Sequence, residues 1–408
     1  MKKSGLKRRD FLRTGLAGLV ATGATPWLFS GDQKKARESQ SKSQTKPQHG
    51  QEPQPPGGRR EGFIYRTLGK TGIVLPVVSM GVMNADNPEL VRAALDSGLV
   101  HLDTAHGYQR GRNEEMIGQV IKGRPRESFF IATKVREGEK FFEQLDLSLQ
   151  RLGLDYVDIL YVHNLSSRER VLAQENLEAI TRAKKEGKTR FIGISTHSNE
   201  PEVIRAMIEA KVFDVVLTAY NFRKDYLKDL DAAISEAVAA GLGVIAMKTM
   251  AGVFWDKQRT QPINTKAALK WALNNTSIAT AIPGMTTFDQ LKSNLEVVKD
   301  LKLTPEELYD LKMGEGQVLA GLYCQGCERC LPQCSRAQPI PDMMRAYMYA
   351  YGYRNLNEAH ELVSSLNLPD NPCAGCETCS VRCALKFNVR ERLVDINRLK
   401  ALPAEFLA

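Results

Sequence analysis

The first 323 of the 408 residues contain no cysteine. That absence excludes a disulfide-built scaffold over most of the chain and a lipid-modified cysteine near the N-terminus. No apolar run is long enough to cross a bilayer. The weakly apolar run near the N-terminus, 14–29, is about 16 residues broken by Gly15, Gly18, Gly23 and Pro26, where about 20 are needed. A Gly-x-Gly-x-x-Gly fingerprint is missing after the first predicted strand, which counts against an open, doubly wound dinucleotide domain. A basic face is missing as well, although the net charge is +9. Residues 1–31 carry +5 and 32–62 carry +3, leaving +1 over the remaining 346, so no nucleic-acid partner is expected.

The N-terminus reads Lys7-Arg8-Arg9-Asp10-Phe11-Leu12-Arg13 before its weakly apolar run. This resembles a twin-arginine export signal over residues 1–31. The resemblance implies the twin-arginine translocation machinery as a partner and a periplasmic location in a bacterium. A basic, frayed N-terminus is the plainer alternative. Residues 32–61 are rich in Gln, Lys, Ser and Pro and bring too little apolar surface to offset the entropy of ordering, so they read as a disordered tether.

From Tyr65 onward, short β-rich runs alternate with amphipathic stretches. Strands are predicted at 77–83, 99–103, 129–135, 156–163, 189–195, 215–220, 243–248 and 279–283. Helices are predicted at 88–97, 112–122, 140–151, 174–186, 200–211, 228–240, 265–274 and 289–300. Several helices stop at glycine, as at Gly98, Gly187 and Gly241. Eight strand–helix units within residues 62–313 give an α/β fold of the (β/α)₈ TIM-barrel type.

In such barrels the chemistry gathers at the C-terminal ends of the strands. Asp103, Lys134 and His163 end successive predicted strands, and Tyr108 follows in a loop. Singly, each has a structural account: a capping Asp, a surface Lys, a packed Tyr, a hydrogen-bonded core His. Together they form a proton-transfer set. The run Asp103-Thr104-Ala105-His106-Gly107-Tyr108, with Asn113-Glu114-Glu115-Met116-Ile117-Gly118 after it, resembles the D-T-A-x-x-Y…N-E-E-x-x-G block of the aldo-keto reductase family. Tyr65-Arg66-Thr67-Leu68-Gly69-Lys70-Thr71-Gly72, Thr133-Lys134-Val135, Val162-His163-Asn164, Gly193-Ile194-Ser195 and Ile282-Pro283-Gly284 match further blocks in order.

The resemblance implies hydride transfer between NADP or NAD and a small carbonyl or alcohol substrate. Tyr108 is then the general acid, Lys134 lowers its pKa, Asp103 holds Lys134, and His163 orients the carbonyl. Ser195, Thr196, Met247, Lys248, Gly284, Met285, Thr286, Gln290 and Asn294 fall in the cofactor segments. Leu217 stands where the family often has Gln, Met247 where it often has Tyr, and Gly284 and Gln290 where NADP-preferring members often have a cation. NADP and NAD both stay open.

All eight cysteines lie in two identical runs: Cys324-x₂-Cys327-x₂-Cys330-x₃-Cys334 and Cys373-x₂-Cys376-x₂-Cys379-x₃-Cys383. This is bacterial ferredoxin spacing for two [4Fe–4S] clusters, in which the fourth Cys of each run serves the other cluster. Disulfides or zinc would not call for a fourfold run repeated at identical spacing. Residues 314–408 are thus expected to form a small, mainly helical iron–sulfur domain, resembling one appended to a branch of the same family. Its segment 341–366 reads as helices able to cover the barrel mouth. A redox partner, and an exported electron-transfer or scaffold protein with an idle barrel, remain as the alternative.

Overall fold

The computed structural model describes residues 54–256, 258–312 and 321–407. The expected export signal and residues 32–53 of the tether lie outside them. The last residues of the expected tether, 54–61, are mostly exposed, with Arg60 tying them to the fold. The Arg60 amide donates to the Tyr65 hydroxyl at 2.9 Å and its guanidinium to the Asp96 carbonyl at 2.6 Å.

A hairpin of β1 (Tyr65–Thr67) and β2 (Val74–Pro76) comes first, two short strands that the sequence pattern did not indicate. Eight parallel strands follow in chain order: β3 (Met80–Gly81), β4 (His101–Asp103), β5 (Phe130–Val135), β6 (Val157–Val162), β7 (Thr189–Thr196), β8 (Val215–Ala219), β9 (Gly243–Met247) and β10 (Thr280–Ala281). Bridges from Val78 to Ala281 and from Gly81 to Gly284 close the barrel. The first and last strands are shorter than their apolar runs because they meet at this seam, where only isolated bridges form. The helices fall within a residue or two of the predicted positions, and Thr265–Asn274 matches them.

Apolar residues divide into three cores. The barrel interior is filled by Leu75, Ile159, Tyr161, Leu217 and Ile245 and is plugged from below by Leu68 of the hairpin connection. The outer faces of the strands pack on the surrounding helices through residues such as Ile131, Leu160, Ile194 and Ile234. The third core joins the barrel residues Trp255, Ile263, Ala267 and Ala268 to Met344, Tyr347, Val363 and Leu393. It holds the helices Ile340–Tyr347, Leu356–Ser365 and Val389–Asn397 onto the barrel's last loops.

His101 shares the inward face of β4 with Asp103, two residues on, and is fully buried. Neither ring nitrogen has a hydrogen-bond partner among the described residues. Burial first, and the Lys134 charge second, push its pKa down to about 3. Between about 3 and the ordinary 6.5, the unfolded chain binds a proton that the folded chain refuses, so stability falls as pH falls through this window. We expect the stability of His101→Leu to depend less on pH than wild type between pH 6.5 and 4.5. The difference should approach about 1.4 kcal/mol per pH unit in denaturant titrations. Parallel profiles would show that His101 is not the titrating group.

Candidate active site

The strand ends bring Asp103, Lys134 and His163 to one side of the barrel mouth. Asp103 is the last residue of β4, Lys134 the fifth of β5, and His163 the first after β6. Tyr108 opens a tight turn, Tyr108–Gly111, in which Gln109 and Arg110 take left-handed backbone (φ 51° and 57°). The motif residues after it brace that turn. Asn113 donates to the carbonyls of Val82 and Ala85 at 2.8 and 3.1 Å and accepts from Thr104 Oγ1 at 2.7 Å. Glu114 accepts from Thr133 Oγ1 at 2.7 Å, tying the loop to β5.

Lys134 is buried. Its ammonium donates to Asp103 Oδ1 and, at 2.6 Å, to the Thr104 carbonyl. The nitrogen lies 5.0 Å from the centre of the Tyr108 ring. Tyr108 and His163 meet edge to face with ring centroids 6.1 Å apart. The four residues therefore form one cluster.

The electrostatics correct one expectation. The Tyr108 phenol is pushed well above its ordinary value, first by burial and then by the Asp103 carboxylate, so its net shift is upward. The ammonium is already paired with Asp103, which cancels most of its field at the phenol, while the dry site penalises phenolate. Burial, with Lys134 and Arg136 nearby, holds His163 well below the usual histidine range and therefore neutral.

A cavity of about 1210 Å³ opens beside the cluster, lined by Asp103 and Tyr108. Met247, Lys248, Gly284, Thr286, Gln290 and Asn294 also line it. Ser195, Thr196 and Met285 are fully buried and do not. Ser195 Oγ accepts from the Asn164 amide at 3.0 Å and Thr196 Oγ1 donates to the Ser198 carbonyl at 2.9 Å. His197, the next residue, faces the cavity instead. Thr287 caps the helix Phe288–Lys299, whose N-terminal turn lines the cavity through Asp289 and Gln290, a favourable place for phosphate.

Sequence reasoning missed the contribution of the C-terminal region. The hydroxyl of Tyr349 lies 3.3 Å from Lys248 Nζ, and Glu358 and Tyr349 sit near enough to Tyr108 to raise its pKa. Asn355 donates to Asn84 Oδ1 at 2.6 Å, and Asn221 donates to the Tyr323 hydroxyl at 2.6 Å. Below these contacts, Lys224 and Glu200 form a fully buried ion pair at 2.6 Å, and Lys224 also donates to the Gln325 carbonyl at 2.9 Å. Only the amphipathic pattern of 341–366 hinted at this cover, and it could not say which side chains would face the site.

The cysteines gather in two quartets that cross between the runs. Cys324, Cys327, Cys330 and Cys383 line one gap together with the apolar Ile340, Met344 and Phe387. Cys376, Cys379 and Cys334 lie near Cys373, with Arg390 also close by. All eight thiols are free, and burial pushes Cys324 and Cys330 up to about 12. Among the described residues, no three His, Cys, Asp or Glu side chains converge closely enough to hold a single metal ion.

The profile of the "Aldo/keto reductase family" matches residues 80–267. The chain is 30% identical over 234 residues to methylglyoxal reductase DkgB of Salmonella typhi, an alignment covering 53% of this chain and 83% of that protein. It is 29% identical over 287 residues to the L-galactose dehydrogenase of Arabidopsis thaliana, covering 58% and 88%. It is 25% identical over 329 residues to the L-glyceraldehyde 3-phosphate reductase of Escherichia coli K12, covering 62% and 93%. Among solved structures, aldo-keto reductase AKR11C1 from Bacillus halodurans superposes with a TM-score of 0.51 at 24% identity, covering 62% of this chain and 96% of that one.

The Lys224–Glu200 pair gives a stability test. Lys224→Met leaves Glu200 buried without its cation, which should cost about 3–5 kcal/mol in denaturant unfolding. Adding Glu200→Leu should restore most of that loss. A single variant within about 1 kcal/mol of wild type would show that the pair does not hold the Gln325 segment to the barrel.

Proposed function

The chain belongs to the aldo/keto reductase family, and from that premise we propose that Tyr108 is the general acid of a carbonyl–alcohol interconversion. The protein is an NAD(P)H-dependent oxidoreductase; the roles of individual residues are our reading. The observation that carries it is the convergence of Asp103, Tyr108, Lys134 and His163 in one cluster, of which Asp103 and Tyr108 line the cavity.

A bound nicotinamide dinucleotide, NADP or NAD, would supply or accept the hydride. The cavity fits such a group: Met247 and Lys248 line its inner part, and Gly284, Thr286, Gln290 and Asn294 line the part toward the helix N-terminus. The chain's own residues do the rest. Neutral His163 donates a hydrogen bond to the carbonyl oxygen and fixes its direction. Tyr108 keeps its proton at neutral pH because its pKa is raised. It gives that proton up when the oxygen becomes an alkoxide, a stronger base than phenolate. Asp103 and the Thr104 carbonyl hold Lys134 beneath the ring, so the site gains no loose cation when the proton leaves.

For the C-terminal region we propose two [4Fe–4S] clusters, one per cysteine quartet. The dry, apolar gap between Cys324, Cys327, Cys330 and Cys383 fits such a group better than free thiols, which burial keeps protonated and inert. Their main effect here is structural, since metal binding of this kind supplies folding energy to the cover over the barrel mouth. The clusters pass single electrons whereas nicotinamide exchanges hydride, and no mediator for that conversion is evident in the sequence. Residues 1–31 would take the folded, loaded protein through the twin-arginine route to the periplasm.

Tyr108→Phe should lower carbonyl reduction at least about a hundredfold while leaving nucleotide affinity near normal, as judged by fluorescence titration and steady-state rates. Retention of more than about a tenth of the turnover would remove Tyr108 from the role. Cys383→Ala should damage the cluster of the first run, and Cys334→Ala that of the second, in iron analysis and EPR of anaerobic protein. Loss confined to the variant's own run would mean that each run closes its own site.

A further inference from the structure

Arg345 lies on the helix Ile340–Tyr347 of the cysteine region, yet it lines a recess at the barrel mouth and the residue is only 9% exposed. A buried cation of this kind needs partners. Asp342, three residues earlier, accepts from Arg345 Nη2 at 2.6 Å, and the Tyr349 hydroxyl bonds to the same guanidinium. Its other side faces a small recess, about 20 Å³, shared with Lys248 and His197 and otherwise lined by residues such as Ala219, Pro341 and Met348. His197 and Lys248 also line the large cavity that holds Tyr108, so the recess adjoins the active-site cavity across these two side chains.

The charges around the chamber do not balance in favour of anions. Lys134, Lys248, Arg345 and Arg136 are set against Asp103, Asp342 and Glu358. Of these, Asp103 is taken up by Lys134 and Asp342 by Arg345. Lys248 meets the Tyr349 hydroxyl and the faces of the Tyr349 and Tyr353 rings, 4.6 and 5.4 Å from its nitrogen, and the one remaining carboxylate, Glu358, is shared among Lys248, Arg136, Arg345 and Lys134. Burial first, and the neighbouring Arg345 second, push Lys248 down to about 7 against the opposing pull of Glu358. One water needs about 10–15 Å³, so the chamber takes about one oxygen, the tip of a carboxylate whose remainder would lie toward the adjoining cavity, and is too small for a phosphoryl group.

We propose that the substrate is a carbonyl compound that also carries a carboxylate, and that Arg345 together with Lys248 binds this carboxylate while the carbonyl lies at Tyr108. The proposal rests on the carbonyl-reductase reading of Tyr108. The cysteine domain is then part of the substrate site, with Arg345 as a specificity-determining residue that planar, two-oxygen recognition suits. No change in the chemistry at Tyr108 is required.

The test uses the full, anaerobically purified protein and matched substrate pairs: succinic semialdehyde with butanal, and glyoxylate with acetaldehyde. The acid of at least one pair should be preferred by about tenfold or more in kcat/KM. Arg345→Met, and the charge-balanced Arg345→Met/Asp342→Asn, should each erase about tenfold or more of that preference, chiefly through KM, with Arg345→Lys intermediate. An acid no better than its neutral partner in the wild type, or a preference that survives in the double variant, would overturn the proposal. If no aldehyde is turned over, the carbonyl reading has failed, and calorimetric titration with butyrate still decides the subsite. Binding to wild type that is lost in both Arg345→Met variants supports it, and equal or absent binding refutes it.

Discussion

The site is organised around one buried ammonium. Lys134 is 1% exposed, and a cation can stay in such a place only if its charge is met at short range. Asp103 and the Thr104 carbonyl meet it, and both sit at the end of β4, the neighbouring strand. Much else follows from that constraint. The parallel register that sets Asp103 beside Ala132 fixes where the pair can form. The turn that carries Tyr108 must leave β4 sharply enough to lay the phenol over the ammonium, and Asn113 and Glu114 hold it there. Burial first, and the Asp103 carboxylate second, raise the phenol's pKa and keep its proton on.

The C-terminal region contributes the second constraint, exclusion of water. Its helices share a core with Trp255 and Ala268 of the barrel, and its cysteine loop is anchored by Lys224, Glu200 and Asn221. These contacts place Arg345, Tyr349 and Glu358 within electrostatic reach of Tyr108. The two cysteine quartets lie in this same region, so whatever orders them also orders the wall that faces Tyr108.

Sequence periodicity determined the barrel, its strand order and the helix positions, because the alternation of β-branched runs with amphipathic stretches is local and repeated eight times. The spacing of Asp103, Tyr108, Lys134 and His163 determined the candidate chemistry, since strand ends in a parallel barrel all point to one rim. The cysteine spacing determined which thiols belong together, for a repeated four-residue run carries its own pairing rule. Tertiary structure alone decided the sign of the Tyr108 shift, the inward turn of Ser195 and Thr196 with His197 in the cavity, and the arrival of Arg345 from 182 positions beyond His163. The physical reason is the same in each case: burial, charge compensation and close approach depend on what the fold packs around a residue, and nothing in the residue's own neighbourhood in the chain encodes that.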